Sequence, residues 1–199
     1  NKRMVLENPL RCVNGRYEMD LEDLRAKAPL AKMMILCSPH NPVGRVWSRE
    51  ELEQVAEICY ENDVLLFSDE IHGDLILPGN TFVPFGTLPA KYQTNCLIGT
   101  AASKTFSLAG LGCSSIFIPD KGLRNAFEGG LDVDADHFNS TFGVAATKAA
   151  YEKAEPWLDE LLQVLQGNYD YLKGFFAEHM PAVTLAALEG TYLAWLDLS

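Results

Sequence analysis

Positive charge is scarce in this chain: 16 Lys and Arg stand against 27 Asp and Glu over 199 residues, a net charge of −11. Nucleic acid and anionic membrane surfaces both reward clustered cations, so neither is expected as a main partner. No apolar run approaches the roughly 18 residues that span a bilayer. No basic-then-apolar leader opens the chain, so no secretion signal is expected and the cytoplasm is the expected compartment. The five cysteines, Cys12, Cys37, Cys59, Cys96 and Cys113, are scattered and form no Cys-x-x-Cys pair. Cys37 has His40 three residues on but no second ligand pair, so buried reduced thiols are expected rather than a metal site. There is no internal repeat and no low-complexity segment. The ends are also bare. Asn1 is not a methionine, and the apolar stretch Thr191 to Ser199 has nothing after it to cover it, so the chain is expected to be a piece of a longer protein.

Hydrophobic residues make up 48% of the chain, enough for a core without disulfides or metals. Met4–Leu6 and Tyr17–Met19 read as short strands around the turn Asn14-Gly15. Asp20 to Ala28 reads as a helix ended by Pro29. Met33–Cys37 is a continuous apolar run, as in a strand buried on both faces. Ser48 and Glu51 form a capping box for a helix from Arg49 to about Asn62, with Leu52, Val55, Ala56 and Cys59 on its inner stripe. Val64–Ser68, Cys96–Gly99 and Ser115–Ile118 read as further strands. Helices are expected at 121–129, 142–152 and 157–177, the last with Leu158, Leu161, Leu162, Leu165, Tyr169 and Leu172 on one face. Val183–Leu188 and Tyr192–Leu198 are β-like. The alternation of strand and helix predicts an α/β layered sheet, in which ligands collect beyond the carboxyl ends of the strands.

Three polar clusters follow apolar strands. Asn41 lies in His40-Asn41-Pro42-Val43-Gly44; Asp69-Glu70-Ile71-His72 begins 28 residues after Asn41, and Ser103-Lys104 ends 35 residues after Asp69. Taken singly, each has an ordinary reading: Lys104 a solvated charge, Asp69 a cap, the Asn41 stretch a turn, His72 a locally packed histidine. Together they supply an amine able to condense with an aldehyde, a carboxylate able to hold a positive ring nitrogen, and an amide donor. Those are the requirements of pyridoxal phosphate. Asp-Glu-Ile-His also fits a DExH box, and Gly99 to Thr105 faintly mimics a phosphate loop. Ser103 stands where that loop needs glycine, however, and the order of the two motifs is reversed.

The runs Leu36–Trp47, Ser68–His72 and Ser103–Phe106, with Glu155–Asp159 and Thr191–Leu196, resemble fold-type I pyridoxal-phosphate enzymes of the aminotransferase class I/II superfamily. Within it they are most similar to the MalY/PatB-type cystathionine β-lyase (C–S lyase) branch. The resemblance implies a three-layer sandwich with a mostly parallel central sheet and helices on both faces. Residues 1–180 would form part of the large domain, and residues 181–199 would start a truncated small one. It further implies a homodimer acting on a small amino-acid substrate. By the resemblance Lys104 carries the imine to the cofactor, Asp69 pairs with the ring nitrogen, Asn41 contacts the ring oxygen, His72 stands near that oxygen where many relatives have tyrosine, and Ser103 helps with the phosphate. Ala101 stands where the family often has a hydroxyl and Gly112 where some aminotransferase branches have an arginine, so phosphate binding is less well supplied. The implied activity is cleavage of a sulfur amino acid to thiol, pyruvate and ammonia. An aminotransferase of the same fold, or an inactive fragment serving as a binding or dimerisation module, are the alternatives.

Overall fold

The computed structural model describes residues 3–134 and 140–198; the two ends noted above, Asn1 and Ser199, lie outside this range. The first element is a hairpin, β1 (Arg11–Val13) and β2 (Arg16–Glu18). Its two-residue turn has both Asn14 and Gly15 at positive φ, 52° and 75°, the turn whose twist matches its strands. That geometry requires Val13 to pair directly with Arg16. The first strand therefore lies at 11–13 and not at the expected Met4–Leu6, where Met4 is 92% exposed. Helix α1 (Leu21–Lys27) starts on an Asp20 side-chain cap.

The central sheet comprises β3 (Met33–Cys37), β4 (Leu65–Asp69), β5 (Cys96–Thr100) and β6 (Ser115–Phe117), in that order. β3, β4 and β5 run parallel, and β6 is antiparallel to β5. Helix α2 (Arg49–Glu61) follows the β3 loop, and both reciprocal bonds of its Ser48/Glu51 capping box are present. Its Leu52, Val55, Ile58 and Cys59 pack with Leu36, Leu66, Cys96 and Ile98 on one sheet face to form the core. The other face carries Met33, Ile35 and Phe67 by the two-residue alternation of strands. Among the described residues it is partly open. Ile35 is 69% exposed, so β3 is not buried on both faces as its unbroken apolar run suggested; it is an edge strand here, and α2 covers only one of its sides.

Helices α3 (Lys121–Asp134), α4 (Thr141–Lys153) and α5 (Glu155–His179) follow. The predicted stripe of α5 is the half-buried one, although no residue of that helix is fully buried. The chain finishes in β7 (Thr184–Leu185) and β8 (Leu196–Asp197), an antiparallel pair shorter than expected. Of the cysteines only Cys59 and Cys96 are buried, with thiols pushed up by burial to about 12 and about 11; Cys12 is exposed, because it sits on the outer hairpin.

Between β7 and β8, residues 189–191 are wedged between two loops. The Glu189 and Gly190 amides both donate to the Gly44 carbonyl, at 2.9 and 3.0 Å, and the Thr191 amide donates to Leu75 O at 2.7 Å. Gly44 has φ 73°, which favours glycine, and a side chain there would meet the Leu188 methyl. Beside it lies Arg45, 1% exposed. Its guanidinium donates to Glu189 at 2.9 Å, to Glu51 at 3.0 Å and to the Tyr17 carbonyl, and sits 4.6 Å from the Trp47 ring centre. Arg16 reaches the other Glu189 oxygen at 2.9 Å.

Candidate active site

The parallel register puts Cys37, Asp69 and Gly99 side by side at the carboxyl end of the sheet. Two further backbone bonds, Ser38 N to Asp69 O at 2.9 Å and Glu70 N to Gly99 O at 2.8 Å, carry the ladder past the strand ends. The three loops that leave this rim bear Asn41, His72 and Lys104. Asn41 is on the turn after β3, with cis bonds before Pro39 and Pro42. Its backbone N–H donates to Cys37 Sγ at 3.3 Å and the residue itself is exposed.

Asp69 accepts the Ile71 amide at 3.2 Å on Oδ1, a local turn bond. Its neighbour Glu70 points the other way and does different work. It accepts Ser68 Oγ at 3.0 Å and the Phe85 amide at 2.8 Å, and burial pushes its carboxyl above the ordinary range. The pattern of the strand held this information: alternate residues face opposite sides, so of two successive acids only one can look toward a ligand.

His72 is 1% exposed, and neither of its ring nitrogens has a hydrogen-bond partner among the described residues. Burial lowers its pKa, the Lys104 charge lowers it further, and Asp69 opposes them. The imidazole is therefore neutral at pH 7 and feels both the amine and the carboxylate. His72 is thus within electrostatic reach of both Asp69 and Lys104. Two buried ring nitrogens without a hydrogen-bond partner are an exception to the rule that buried polar groups are satisfied, and a polar ligand would satisfy them. The residue types present, amine, carboxylate and imidazole, fit a pyridine aldehyde.

Lys104 sits in a turn after β5 that is closed by Phe106 N to Ala102 O at 2.9 Å and Leu108 N to Ser103 O at 3.0 Å. Ser103 and Lys104 line a cavity of about 530 Å³ together with Tyr192 and with Trp157, Leu161 and Leu165 of α5. Asn41, Asp69 and His72 are outside that lining. His72 meets it through Tyr192, whose ring lies edge-on at 5.5 Å between centroids. Tyr192 was read from the sequence only as part of a strand; the Gly190-Thr191 pair before it, with Thr191 at φ 70°, is the signal that the chain turns there.

The chain matches the model of the family "Aminotransferase class I and II" over residues 9–199. It is 41% identical to cystathionine β-lyase PatB of Bacillus subtilis over 201 aligned residues, covering 100% of this chain and 52% of that protein. Among solved structures, cystalysin of Treponema denticola with its pyridoxal 5'-phosphate superposes with a TM-score of 0.95 at 35% identity, over 98% of this chain and 50% of that one. The pyridoxal-phosphate-bound C–S lyase of Staphylococcus hominis gives 0.87 at 38% identity, over 96% and 48%. The mostly parallel α/β sheet of these proteins is present here in part, and the chain spans about half the length of the relatives it matches. With that match running from residue 9 to the end, the chain belongs to the aminotransferase class I and II family.

Proposed function

We propose that this chain is the cofactor-bearing half of a pyridoxal-phosphate-dependent C–S β-lyase, which releases a thiol, pyruvate and ammonia from a small sulfur-containing amino acid. The observation that carries the reading is the buried, unpartnered His72 packed against Tyr192, which lines the Lys104 cavity, in a chain whose relatives include cystathionine β-lyase PatB. When bound, pyridoxal phosphate supplies an electron sink for the pair left at the substrate's α-carbon. Every other task falls to the protein.

Lys104 is the attachment point for the aldehyde, and its freed amine takes the α-proton as general base. The Asp69 carboxylate would hold the ring nitrogen positive, the Asn41 side-chain amide would donate to the ring oxygen, and Ser103 would donate to the phosphate. Neutral His72 has one donor and one acceptor nitrogen. It would therefore orient the ring-oxygen end without adding a charge beside Lys104. Trp157, Leu161 and Leu165 line the cavity on the amine's side. In this reading residues 1–180 belong to the large domain, residues 181–199 begin the small one, and the parent protein is a cytoplasmic homodimer. Among the described residues no helix is long and apolar enough to cross a membrane.

The test uses the full-length protein that contains this chain. Incubated with cystathionine, it is expected to release thiol and pyruvate in equal amounts. Amino transfer to a keto acid without thiol release would replace the lyase reading with the aminotransferase one. The 199 residues alone are expected to show little turnover in the same assay, because the partly open sheet face leaves the site short of walls. Turnover by the isolated chain near that of the full-length protein would refute this.

A further inference from the structure

Asp74 is absorbed by none of the roles above, yet it stands between two of the residues that have them. It lies two residues past His72 and accepts on Oδ2 from Thr105 Oγ1 at 2.9 Å, and Thr105 is the residue after Lys104. Thr105 is 1% exposed. The same carboxylate oxygen accepts from the Tyr151 hydroxyl of α4 at 3.2 Å. That phenol is pushed up to about 12, by burial first and then by Asp74, so it remains a donor. The turn on the Asp74 side is stiff: Gly73 N to Glu70 O and Leu75 N to His72 O, both 2.9 Å, close it. A Cβ at Gly73 would come within 3.0 Å of the Phe82 ring. On the other side Phe106, two residues past Lys104, packs edge-on against Tyr151 with centroids 5.7 Å apart.

We propose that Asp74 is a positioning residue for Lys104: through Thr105 it fixes the lysine-bearing turn to the histidine-bearing turn and so aims the amine. The backbone bonds of the lysine turn are internal to it and set its shape, not its placement against the neighbouring loop. The Thr105–Asp74 bond crosses between the loops one residue from the amine. It is made by a buried hydroxyl to a carboxylate, and hydrogen bonds to an ionised acceptor are of the stronger kind. A misplacement of about 1 Å at a reacting group can cost about a hundredfold in rate, so a single anchor this close to the amine has leverage.

The inference rests on the reading that Lys104 binds the cofactor, and the experiment separates the two. Full-length apoprotein is mixed with pyridoxal phosphate, the adduct is reduced with borohydride at timed intervals, and labelling of Lys104 is followed by peptide mass spectrometry. Asp74→Ala and Thr105→Val are each expected to slow labelling at Lys104 by about tenfold or more. The double variant should be no slower than the worse single one, since each substitution already removes the Thr105–Asp74 bond. Asp74→Asn, whose amide oxygen still accepts, and Thr105→Ser, which keeps the hydroxyl, should return to within about threefold of the parent. Lys104 acylation by acetic anhydride in the cofactor-free protein gives a second readout and should follow the same order. A folded Thr105→Val that labels at the parental rate, or single effects that multiply in the double variant, would overturn the positioning role. Should Asp74→Ala fail to fold, the Thr105 pair still decides. Absence of labelling at Lys104 in the parent protein would instead overturn the cofactor reading, and the positioning role with it.

Discussion

Lys104→Ala in the full-length protein is expected to lower kcat/KM for thiol release by at least about a thousandfold, some 4 kcal/mol of transition-state stabilisation. The substitution removes both the attachment point and the base that takes the α-proton, so no other side chain of the rim substitutes for it. Lys104→Arg should do no better, because a guanidinium does not give up its proton in a protein. Neither variant should unfold the chain. Lys104 is half-buried at a cavity wall, outside the α2 core, and the melting temperature should stay within a few degrees. Steady-state thiol release alongside a thermal melt checks both halves. A Lys104→Ala enzyme retaining a tenth of the activity would remove the lysine from the chemistry.

Arg45→Met is expected to have the largest effect on stability, about 3–5 kcal/mol, as when one partner of a buried ion pair is removed. Arg45 is almost fully buried and serves Glu189, Glu51 and the Tyr17 carbonyl together. Its loss leaves two carboxylates facing a thioether. At about 2–4 °C per kcal/mol for a domain of this size, the melting temperature should fall by about 6–20 °C.

The pH dependence distinguishes this account from lost packing. Desolvation pushes the Glu189 carboxyl up, but the Val46 amide, Arg45 and Arg16 outweigh it and hold the pKa below the ordinary 4.5. A carboxyl with a depressed pKa binds fewer protons folded than unfolded. Its contribution is complete above pH 4.5 and is lost as pH falls through the folded value. His72, also depressed, loses its contribution in the same direction from about pH 6.5 downward. Melts between pH 3 and 7 should therefore show the parent protein weakening as acid is added. Arg45→Met should lose much of the limb below pH 4.5 and keep the one above it. A variant melting within 3 °C of the parent at pH 7 would show that the guanidinium is dispensable.

The sequence disclosed the parts of this molecule that depend on neighbours along the chain. Apolar strands ending in polar clusters marked the rim. Ser48 and Glu51 marked a helix start because a capping box is made within four residues. The leucine spacing of α5 marked its half-buried side. What stayed hidden depends on contacts between remote segments. Arg45 and Glu189 are 144 residues apart, and an arginine after a glycine reads as surface charge unless its partner is known. The Thr105–Asp74 bond spans 31 residues, and Tyr192 meets His72 only because residues 189–191 are pinned beside Leu75. Ile35 misled for a related reason: an apolar side chain states what it would be stable against, not whether that surface lies within the same 199 residues.

The wedge at residues 189–191 has a bearing on how such a protein can be altered. Its amides are spoken for by Gly44 on one side and Leu75 on the other, so the two loops and the incoming chain behave as one casting. A designer who wishes to reshape the wall around Tyr192 cannot graft that segment from a relative by itself. The turn containing Gly44 and Arg45 has to travel with it, as a matched pair taken from one parent.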